Sequence, residues 1–390
     1  MAFLIVVLAV LMTLHGYVGI RLIPNLPVDG RTAIFLWLGL GIFTFFPPVP
    51  IILRFRGMEN GLTDVLSWIA YTSLGFFSLL FAIVLFRDIA WLVMGGATKL
   101  LAAINKAPQP VDESRRQFLV HSMNLGLLAA TGGLVSYGLF AARREPSISK
   151  INIPIDSLPD ALVGLKIVQI SDLHVGPTIK RDFVERVVAA VNAQNPDLVA
   201  LTGDLVDGSV DYLQNDISPL IDLKSKYGAY FVTGNHEYYS GVHEWLPRIA
   251  DLGFETLQNE HRIIEHNGSK ILIGGVTDST AHQIVPEHRS DPAQSIANAP
   301  ATDFKLLLAH QPNSIFAASK AGYNLQLSGH THGGQYYPFT YAVRAVHAYS
   351  AGLHKHDETW IYVNRGTGYW GPPIRIGVPS EITVLELSKA

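Results

Sequence analysis

The first 150 residues contain four long stretches without a charged side chain. They lie near residues 2–20, 32–53, 65–86 and 117–142, and none of them contains Asp, Glu, Lys or Arg. About 20 consecutive apolar residues are enough to cross the hydrocarbon core of a bilayer as a helix. Four such lengths so close together are hard to explain as buried helices of a soluble protein. Residues 1–146 are therefore predicted to form a membrane anchor of about four transmembrane helices.

Two features modify these predicted spans. Pro47, Pro48 and Pro50 lie in the second stretch, and we expect them to kink or end the helix there, which membrane helices tolerate where neighbours bond the freed carbonyls. Residues 89–98 are also uncharged but are too short to cross a bilayer. They are expected to lie at the membrane interface or to extend the third helix.

The pattern changes after residue 150 to short β-rich runs that alternate with helical segments. One helix is predicted near residues 180–193, where valine and phenylalanine recur on one side. The predicted strands are residues 165–170, 197–201, 229–233, 270–276, 305–309, 325–327, 360–363 and 382–387. This alternation favours one layered α/β domain over residues 151–390, with helices outside the sheet. Residues 143–164 contain three prolines and are predicted to form a linker that also begins this domain.

Charge and composition separate the same two regions. Residues 1–150 carry a net charge of +5 and the remainder carries −8, and 13 of the 15 histidines follow residue 150. The absence of cysteine from the sequence excludes disulfides, thiolate metal sites and a cysteine nucleophile. No basic run is long enough for a nucleic-acid surface, and the acidic balance of the second region argues against one. We therefore expect no nucleic acid among the partners.

Polar residues follow five of the predicted strands. The segments are SDLHVG, TGDLVDG, TGNHEYY, AHQP and SGHTHGGQ. They supply, in chain order, Asp172, His174, Asp204, Asp207, Asn235, His236, His310, His330 and His332. In open α/β sheets, ligands bind beyond the carboxyl ends of the strands. Any one of these residues alone is explained as a capped turn or a solvated loop, but five such loops in this order predict one shared site.

The types of donor indicate a metal site. Oxygen and nitrogen donors without sulfur suit divalent ions such as Mn²⁺, Fe²⁺ or Zn²⁺. More donors are present than one ion usually takes, which predicts two ions about 3.5–4 Å apart, bridged by one carboxylate, that together hold the attacking and leaving oxygens of a phosphoryl transfer. In SGHTHGGQ the glycines would let the backbone come close while the two imidazoles reach different ions.

Together these segments resemble the calcineurin-like metallophosphoesterases. The pattern of that family is Asp-x-His, Gly-Asp-x-x-Asp, Gly-Asn-His-Glu, a separate His and Gly-His-x-His, and all five elements lie within residues 172–332. The resemblance implies seven metal ligands: for the first ion Asp172, His174 and His332, for the second ion Asn235, His310 and His330, and Asp204 as the bridge between them. It also implies that His236 protonates the leaving oxygen or steadies the phosphate, and that Asp207 orients His236. The implied fold is a layered calcineurin-like α/β domain behind the transmembrane helices.

Two further stretches resemble one branch of that family, the membrane-anchored bacterial phosphohydrolases. They are RGTGYWGPPIRIGVPSEIT, residues 365–383, and the ending of SGHTHGGQ. The branch includes twin-arginine-exported envelope enzymes and relatives that cleave UDP-diacylglucosamine, and one anchor helix is usual there, against four predicted here. The resemblance implies hydrolysis of a lipid-linked or cell-envelope phosphate, with a phosphodiester or pyrophosphate favoured, by attack of a metal-bound hydroxide. A phosphorylated substrate and membrane lipid are the expected partners, and no partner protein is indicated.

The orientation of the chain is predicted from SRRQFLV, residues 114–120, just before the fourth span. This stretch resembles a twin-arginine export signal, in which paired arginines precede an apolar segment. With Arg115 and Arg116 inside, the cytoplasmic flanks carry seven Lys and Arg residues, Lys106 among them, against five on the outer side. We therefore expect a multi-pass protein of the bacterial cytoplasmic membrane with its catalytic domain on the outer side.

Two other functions remain open from the sequence. One is a tethered phosphatase that acts on soluble phosphomonoesters or phosphoproteins. The other, from a different class, is a membrane sensor or transporter whose second region only binds a phosphorylated ligand. A missing metal ligand would favour the sensor, but all the ligands of the family pattern are present in the sequence, which favours an enzyme. The first three spans hold no ionisable residue except His15, which gives little support to a charged transport path.

Some residues around the predicted site have two possible roles. Arg365 and Arg375 either hold a phosphate or bond backbone carbonyls, with no preference from the sequence. Six aromatic residues either form an apolar lip towards lipid or pack in the core or at its rim: Tyr238, Tyr239, Tyr336, Tyr337, Tyr369 and Trp370. For any one of these six, packing is the favoured prediction.

Overall fold

The computed structural model describes residues 2–104 and 112–390, and the chain divides into two units, Met1–Leu139 and Phe140–Ala390. Each unit has buried apolar clusters of its own, so each has its own hydrophobic core. Lys106, one of the flanking charges counted above, lies outside the described residues.

The first unit is helical throughout most of its described length. Its helices are α1 (Ala2–Leu22), α2 (Gly30–Phe45), α3 (Pro48–Phe55), α4 (Gly61–Ile104) and α5 (Glu113–Arg143), the last of which ends in the second unit. Among the described residues, four segments are long and apolar enough to cross a membrane: Ile5–Asn25, Gly30–Phe55, Gly61–Leu100 and Glu113–Arg143. The prediction of about four such helices is therefore confirmed by length and composition.

The prolines divide the second predicted span into two helices. Helix α2 ends at Phe45 and α3 begins at Pro48, where proline is tolerated because the first turn of a helix lacks N–H partners in any case. The third helix is longer than the predicted span, because α4 contains 44 residues and ends at Ile104. Residues 89–98 therefore extend the third helix.

A polar cluster joins α1, α4 and α5 within the first unit. Asp88 of α4 accepts hydrogen bonds from Tyr17 Oη at 2.7 Å and from Arg21 Nε at 2.5 Å, both on α1. The buried Arg87 donates to Asn124 Oδ1 of α5 at 2.6 Å. Charged side chains inside a helical bundle need such partners, so this cluster fixes how the three helices align with one another.

The second unit contains two mixed sheets. Its strands are β1 (Ser147–Ile155), β2 (Lys166–Ile170), β3 (Leu198–Leu201), β4 (Ala229–Phe231), β5 (Phe254–Thr256), β6 (Glu260–His266), β7 (Ser269–Gly275), β8 (Phe304–Leu308), β9 (Leu325–Ser328), β10 (Gly352–His356), β11 (Thr359–Val363) and β12 (Glu381–Lys389). The eight strands predicted from the sequence are all present, and β1, β5, β6 and β10 were not predicted. The predicted linker over residues 143–164 is in large part β1, an edge strand that pairs in parallel with β12 and whose Pro154 an edge tolerates.

The two sheets pack face to face. The order of the first is β1-β12-β2-β3-β4-β5, and the order of the second is β10-β11-β9-β8-β7-β6. One buried cluster contains Ile167 and Leu198 of the first sheet together with Ile271 and Leu306 of the second. The central strands are buried along their whole length, because they are covered on both faces.

Helices cover the outer faces of the two sheets. They are α6 (Arg181–Asn192), α7 (Val210–Ile217), α8 (Asn235–Ser240), α9 (Val242–Asp251) and α10 (Ile315–Ala321). A further helix, α11 (Phe339–Val346), is largely exposed and contacts the segment His332–Gly334. Val187 of α6 belongs to the same buried cluster as Val168 and Val199 of the first sheet, and Ala318 of α10 belongs to a cluster with Leu307 of the second. The domain is therefore layered as helix, sheet, sheet and helix, and the carboxyl ends of strands from both sheets meet at one edge.

Candidate metal centre

The first group of donors lies where β2 of one sheet and β9 of the other end. Asp172 and His174 follow β2, and His332 follows β9. His332 Nε2 lies 3.4 Å from Asp172 Oδ1 and 3.1 Å from His174 Nε2. All three side chains are buried, with one donor atom of each within 4.8 Å of the others. The structure thus brings together the three residues predicted for the first ion.

The second group consists of Asp204 after β3, His310 after β8 and His330 after β9. His310 Nε2 lies 3.1 Å from Asp204 Oδ2, and His330 Nδ1 lies 3.3 Å from His310 Nε2. Asp204 Oδ2 is also 3.8 Å from His174 Nε2 of the first group. Asp204 therefore lies between the two groups, where a bridging carboxylate would be.

Asp207 contacts two histidines at once. Its Oδ2 lies 3.2 Å from His174 Nδ1, and its Oδ1 is hydrogen-bonded to His236 Nδ1. Because both rings use Nδ1 for this carboxylate, the Nε2 atom of each is left for another partner. The contact with His236 was predicted from the resemblance, whereas the contact with His174 was not.

Asn235 begins α8 beside Asp204. The backbone N–H of His236 donates to Asp204 Oδ1 at 2.9 Å, and a Cβ atom at Gly234 would collide with the same carboxylate. Asn235 Oδ1 is buried and has no hydrogen-bond partner among the described residues. Leaving a buried amide oxygen unbonded is costly, so its position suits a metal ligand.

The backbone at the strand ends is unusual. Five predicted ligands adopt left-handed φ angles between 50° and 71°: Asp172, His174, Asp204, His330 and His332. For residues other than glycine this conformation costs on the order of 1 kcal/mol or more and is concentrated at functional sites. The surrounding packing therefore holds these loops in sharp turns that direct their side chains into one place.

The donor set fits divalent cations. Thr202 O can only accept a hydrogen bond, so His310, whose Nδ1 lies 2.7 Å away, carries its proton on Nδ1. Asp207 places the proton of His174 on Nδ1 in the same way. In the neutral form of each ring, the Nε2 lone pair then faces other nitrogen and oxygen atoms at 3.1–3.8 Å, an arrangement that a cation among them would stabilise.

Charges within the site separate the roles of its histidines. Burial alone would lower the pKa of His236, but Asp207 and Asp204 raise it to about 9. His236 is therefore held protonated, as a proton donor requires. Burial, together with the nearby His310, lowers the pKa of His330 to about 3. A neutral His330 suits a metal ligand, whereas the burial of His310 is outweighed by the carboxylate of Asp204, which raises the pKa of His310.

Glu237 is a buried residue of the site that the sequence analysis left without a role. Its Oε2 accepts from the backbone N–H groups of Gly234 at 2.7 Å and Asp204 at 3.0 Å, and its Oε1 accepts from Leu205 at 2.7 Å. It therefore ties the loop after β3 to the start of α8. The sequence did contain a sign of this, because a Glu three residues after Gly234 is the pattern of a helix capping box.

Both arginines of the loop between β11 and β12 have structural partners. Arg375 is 1% exposed, donates to four backbone carbonyls and lies 3.2 Å from His332 Nδ1. Arg365 forms an ion pair through two nitrogens with the fully buried Glu381. Of the two roles that the sequence left open, the structure therefore favours bonding within the protein for both.

The six aromatic residues divide into two sets of three. The buried ones are Tyr238, Tyr336 and Tyr369. The exposed ones are Tyr239, Tyr337 and Trp370. Packing in the core is therefore observed for three of them, and the three exposed rings lie at the surface, where both rim packing and contact with a ligand stay open.

Comparison with known proteins agrees with this geometry. Residues 165–334 match the family model described as "Calcineurin-like phosphoesterase". "Transmembrane protein with metallophosphoesterase domain" of Danio rerio is 35% identical to this chain, over 83% of this chain and 74% of that protein. Its namesake in Bos taurus is 34% identical over the same shares of the two chains. An "Uncharacterized metallophosphoesterase" of Helicobacter pylori is 36% identical, over 70% of this chain and 72% of its own length.

The fold and the two donor groups define a metal-dependent hydrolase of phosphate esters. The chain belongs to the calcineurin-like phosphoesterase family and is a metallophosphoesterase. Its assignment to the twin-arginine-exported branch stays a prediction.

Proposed function

We propose that this protein is a membrane-anchored hydrolase that uses two divalent ions to cleave a lipid-linked or cell-envelope phosphate, with a phosphodiester or pyrophosphate favoured. In this proposal residues 1–146 form the anchor and residues 151–390 form the catalytic domain. The domain faces the outer side of the bacterial cytoplasmic membrane.

The observation that carries the proposal is the position of Asp204 between two groups of metal-ligand-type side chains. Its Oδ2 lies 3.1 Å from a nitrogen of the second group and 3.8 Å from a nitrogen of the first. A carboxylate shared in this way supports two ions rather than one. The residues that would hold them are Asp172, His174 and His332 for the first, Asn235, His310 and His330 for the second, and Asp204 for both.

Bound there, the two ions would supply Lewis-acid stabilisation of the charge that develops on the phosphate oxygens. The protein's own contribution is proton transfer by His236. Asp207 accepts a hydrogen bond from the Nδ1–H group of His236 and thereby orients the ring, so that the Nε2–H is the one available to the leaving oxygen. Asp207 also keeps the ring charged, because its carboxylate raises the pKa of His236.

The membrane setting supports a lipid-linked substrate. Four segments of the described chain are apolar enough to span a bilayer, and two relatives are named transmembrane proteins. An enzyme fixed to a membrane meets lipid-borne phosphates at a high local concentration, whereas it meets soluble ones only by diffusion.

The test is a substrate panel with full-length protein in detergent, loaded with Mn²⁺, Fe²⁺ or Zn²⁺. The panel contains a phosphomonoester, a phosphodiester, a phosphopeptide and a nucleotide-linked lipid. We expect the diester or the nucleotide-linked lipid to be cleaved best, and a chelator to abolish cleavage of all of them. Preference for the monoester or phosphopeptide would favour the tethered phosphatase, and binding without any cleavage would favour the sensor.

A further inference from the structure

Two exposed aromatic side chains flank His236. Tyr239 of α8 is 53% exposed, and Trp370, in the loop between β11 and β12, is 54% exposed. Their ring centroids lie 5.3 Å and 5.7 Å from the centroid of the His236 imidazole, with interplanar angles of 68° and 75°. The two aromatic rings come from distant parts of the chain and meet at one imidazole.

Trp370 is held in this position by a buried side chain. Gln335, which ends the SGHTHGGQ segment and is 6% exposed, accepts a hydrogen bond from Trp370 N at 2.9 Å. Its Nε2 donates to the carbonyl oxygens of Trp370 at 3.0 Å and Pro372 at 2.7 Å. A buried amide that satisfies three backbone groups fixes this loop, so the exposed indole is presented rather than left free to move.

Tyr239 lies on α8, the short helix that begins at the predicted ligand Asn235, so its ring stands beside the metal centre. Two exposed aromatic rings that meet at a reactive group offer apolar contact area to a ligand at that place. A proton donor must lie within hydrogen-bond distance of the leaving oxygen. Whatever is attached to the leaving oxygen must therefore pass beside these two rings.

We propose that Tyr239 and Trp370 form a leaving-group subsite that takes an apolar group, alkyl or aryl, attached to the scissile phosphate. The proposal rests on the proposed function, in which His236 protonates the leaving oxygen. Recognition by charge at this loop is not offered by Arg365 or Arg375, because both are engaged within the protein. The subsite therefore selects by apolar contact.

A homologous series of substrates tests the subsite. Ethyl, butyl and octyl phosphate, used as monoesters and as symmetric dialkyl diesters, have leaving oxygens of nearly equal basicity, so differences in kcat/KM report contact along the chain. We expect kcat/KM to rise about ten-fold from ethyl to octyl in the wild-type protein. Trp370→Ala and Tyr239→Ala should each remove most of this rise while changing the value for ethyl phosphate about two-fold or less.

Two matched variants control for general damage. Tyr341→Ala removes another exposed aromatic ring, one that contacts Tyr337 and not His236, and it should keep the full ten-fold rise. Trp370→Phe keeps an apolar ring at the position and should therefore keep most of the rise in kcat/KM from ethyl to octyl phosphate. All variants are compared in the same detergent, so partition of octyl phosphate into micelles affects them equally.

A binding measurement separates this proposal from the proposed function. Calorimetry with methylphosphonate and 2-naphthylmethylphosphonate, neither of which is hydrolysed, should show tighter binding of the naphthyl compound to the wild-type protein, and Trp370→Ala should weaken that compound alone. If no ester is cleaved, the proposed function fails and the phosphonate preference alone decides on the subsite. The subsite proposal is wrong, and the proposed function stands, if esters are cleaved at a rate that does not depend on chain length. The same holds if the variants lose activity on ethyl and octyl phosphate equally.

Discussion

Asp204 is the residue on which the two donor groups depend most. Its carboxylate lies near His310 and His174, one from each group, and its backbone N–H is bound by Glu237. A left-handed φ of 52° turns the chain sharply at this position. A single carboxylate at the meeting point therefore has to supply negative charge to both proposed ions.

Replacing this carboxylate with an amide tests the shared position. We expect Asp204→Asn to remove nearly all hydrolysis and to lower the metal content measured by inductively coupled plasma mass spectrometry, because a neutral amide cannot offset two divalent charges. Asp211→Asn, the same change at an exposed site, should alter neither. Two ions per chain and near-normal turnover in Asp204→Asn would contradict the binuclear proposal.

His236 allows proton transfer to be separated from metal binding. We expect His236→Ala to lower kcat by about 10²–10⁴-fold, which is the usual contribution of a positioned acid, and to leave the metal content close to that of the wild type. The loss should be smaller for nitrophenyl esters, because nitrophenolate leaves without a proton.

The exposed His243 provides the matched control, and His243→Ala should retain turnover. An equal loss on alkyl and nitrophenyl substrates would mean that His236 acts on the phosphate rather than on the leaving oxygen.

At the scale of elements, local patterns predicted the strands that are apolar along their length and the loops that follow them. Strand β1 was missed because its partner β12 lies more than 230 residues away, and no local pattern reveals such pairing. The sequence also did not reveal that the strands form two sheets, because a strand that is buried on both faces has the same apolar pattern whichever sheet it belongs to. Gln335 was missed because it binds backbone groups, which carry no sequence signal, whereas Glu237 was missed although its capping-box spacing could have been recognised.

Glu381 joins several of these elements. At the start of β12 its buried carboxylate accepts from Arg365, from Ser149 of β1 at 3.0 Å and from Tyr362 of β11 at 3.1 Å. We expect Glu381→Gln to lower the free energy of unfolding by about 2–4 kcal/mol, because it leaves Arg365 without its charged partner. Denaturant titration measures the change.

Glu386→Gln, on the same strand but exposed, should stay within about 0.5 kcal/mol of the wild type. Equal stability of the two variants would mean that the Arg365–Glu381 ion pair contributes as little to the free energy of unfolding as an exposed ion pair does.

At the scale of the whole molecule, the chain combines an apolar helical unit with an acidic, histidine-rich unit. Arg115 and Arg116 precede the fourth predicted span, and the flanking charges favour their side as cytoplasmic. Only about 20–30 residues separate that span from Asp172 in the sequence. A short connection of this kind favours the proposed substrates at the membrane surface, provided that the domain lies on the predicted side.

Reporter fusions in a bacterial host test the orientation. An alkaline phosphatase reporter should be active when fused after Lys150 and silent when fused after Lys106, because that enzyme folds only outside the cytoplasm. A fluorescent reporter that folds only inside should give the opposite pattern and serves as the control. If the phosphatase is silent after Lys150 and active after Lys106, the catalytic domain is cytoplasmic and an envelope substrate is excluded.

Each donor group takes residues from both sheets, and this couples ion binding to the cohesion of the domain. In the first group His332 comes from one sheet and Asp172 from the other, and in the second group His310 and Asp204 are divided in the same way. An ion that binds only the folded arrangement adds about 2.7 kcal/mol to the free energy of unfolding when it is present at 100 times its dissociation constant. The stability of this domain is therefore set partly by its surroundings. In a compartment depleted of the proposed ions, we therefore expect the domain to unfold more easily than where they are abundant.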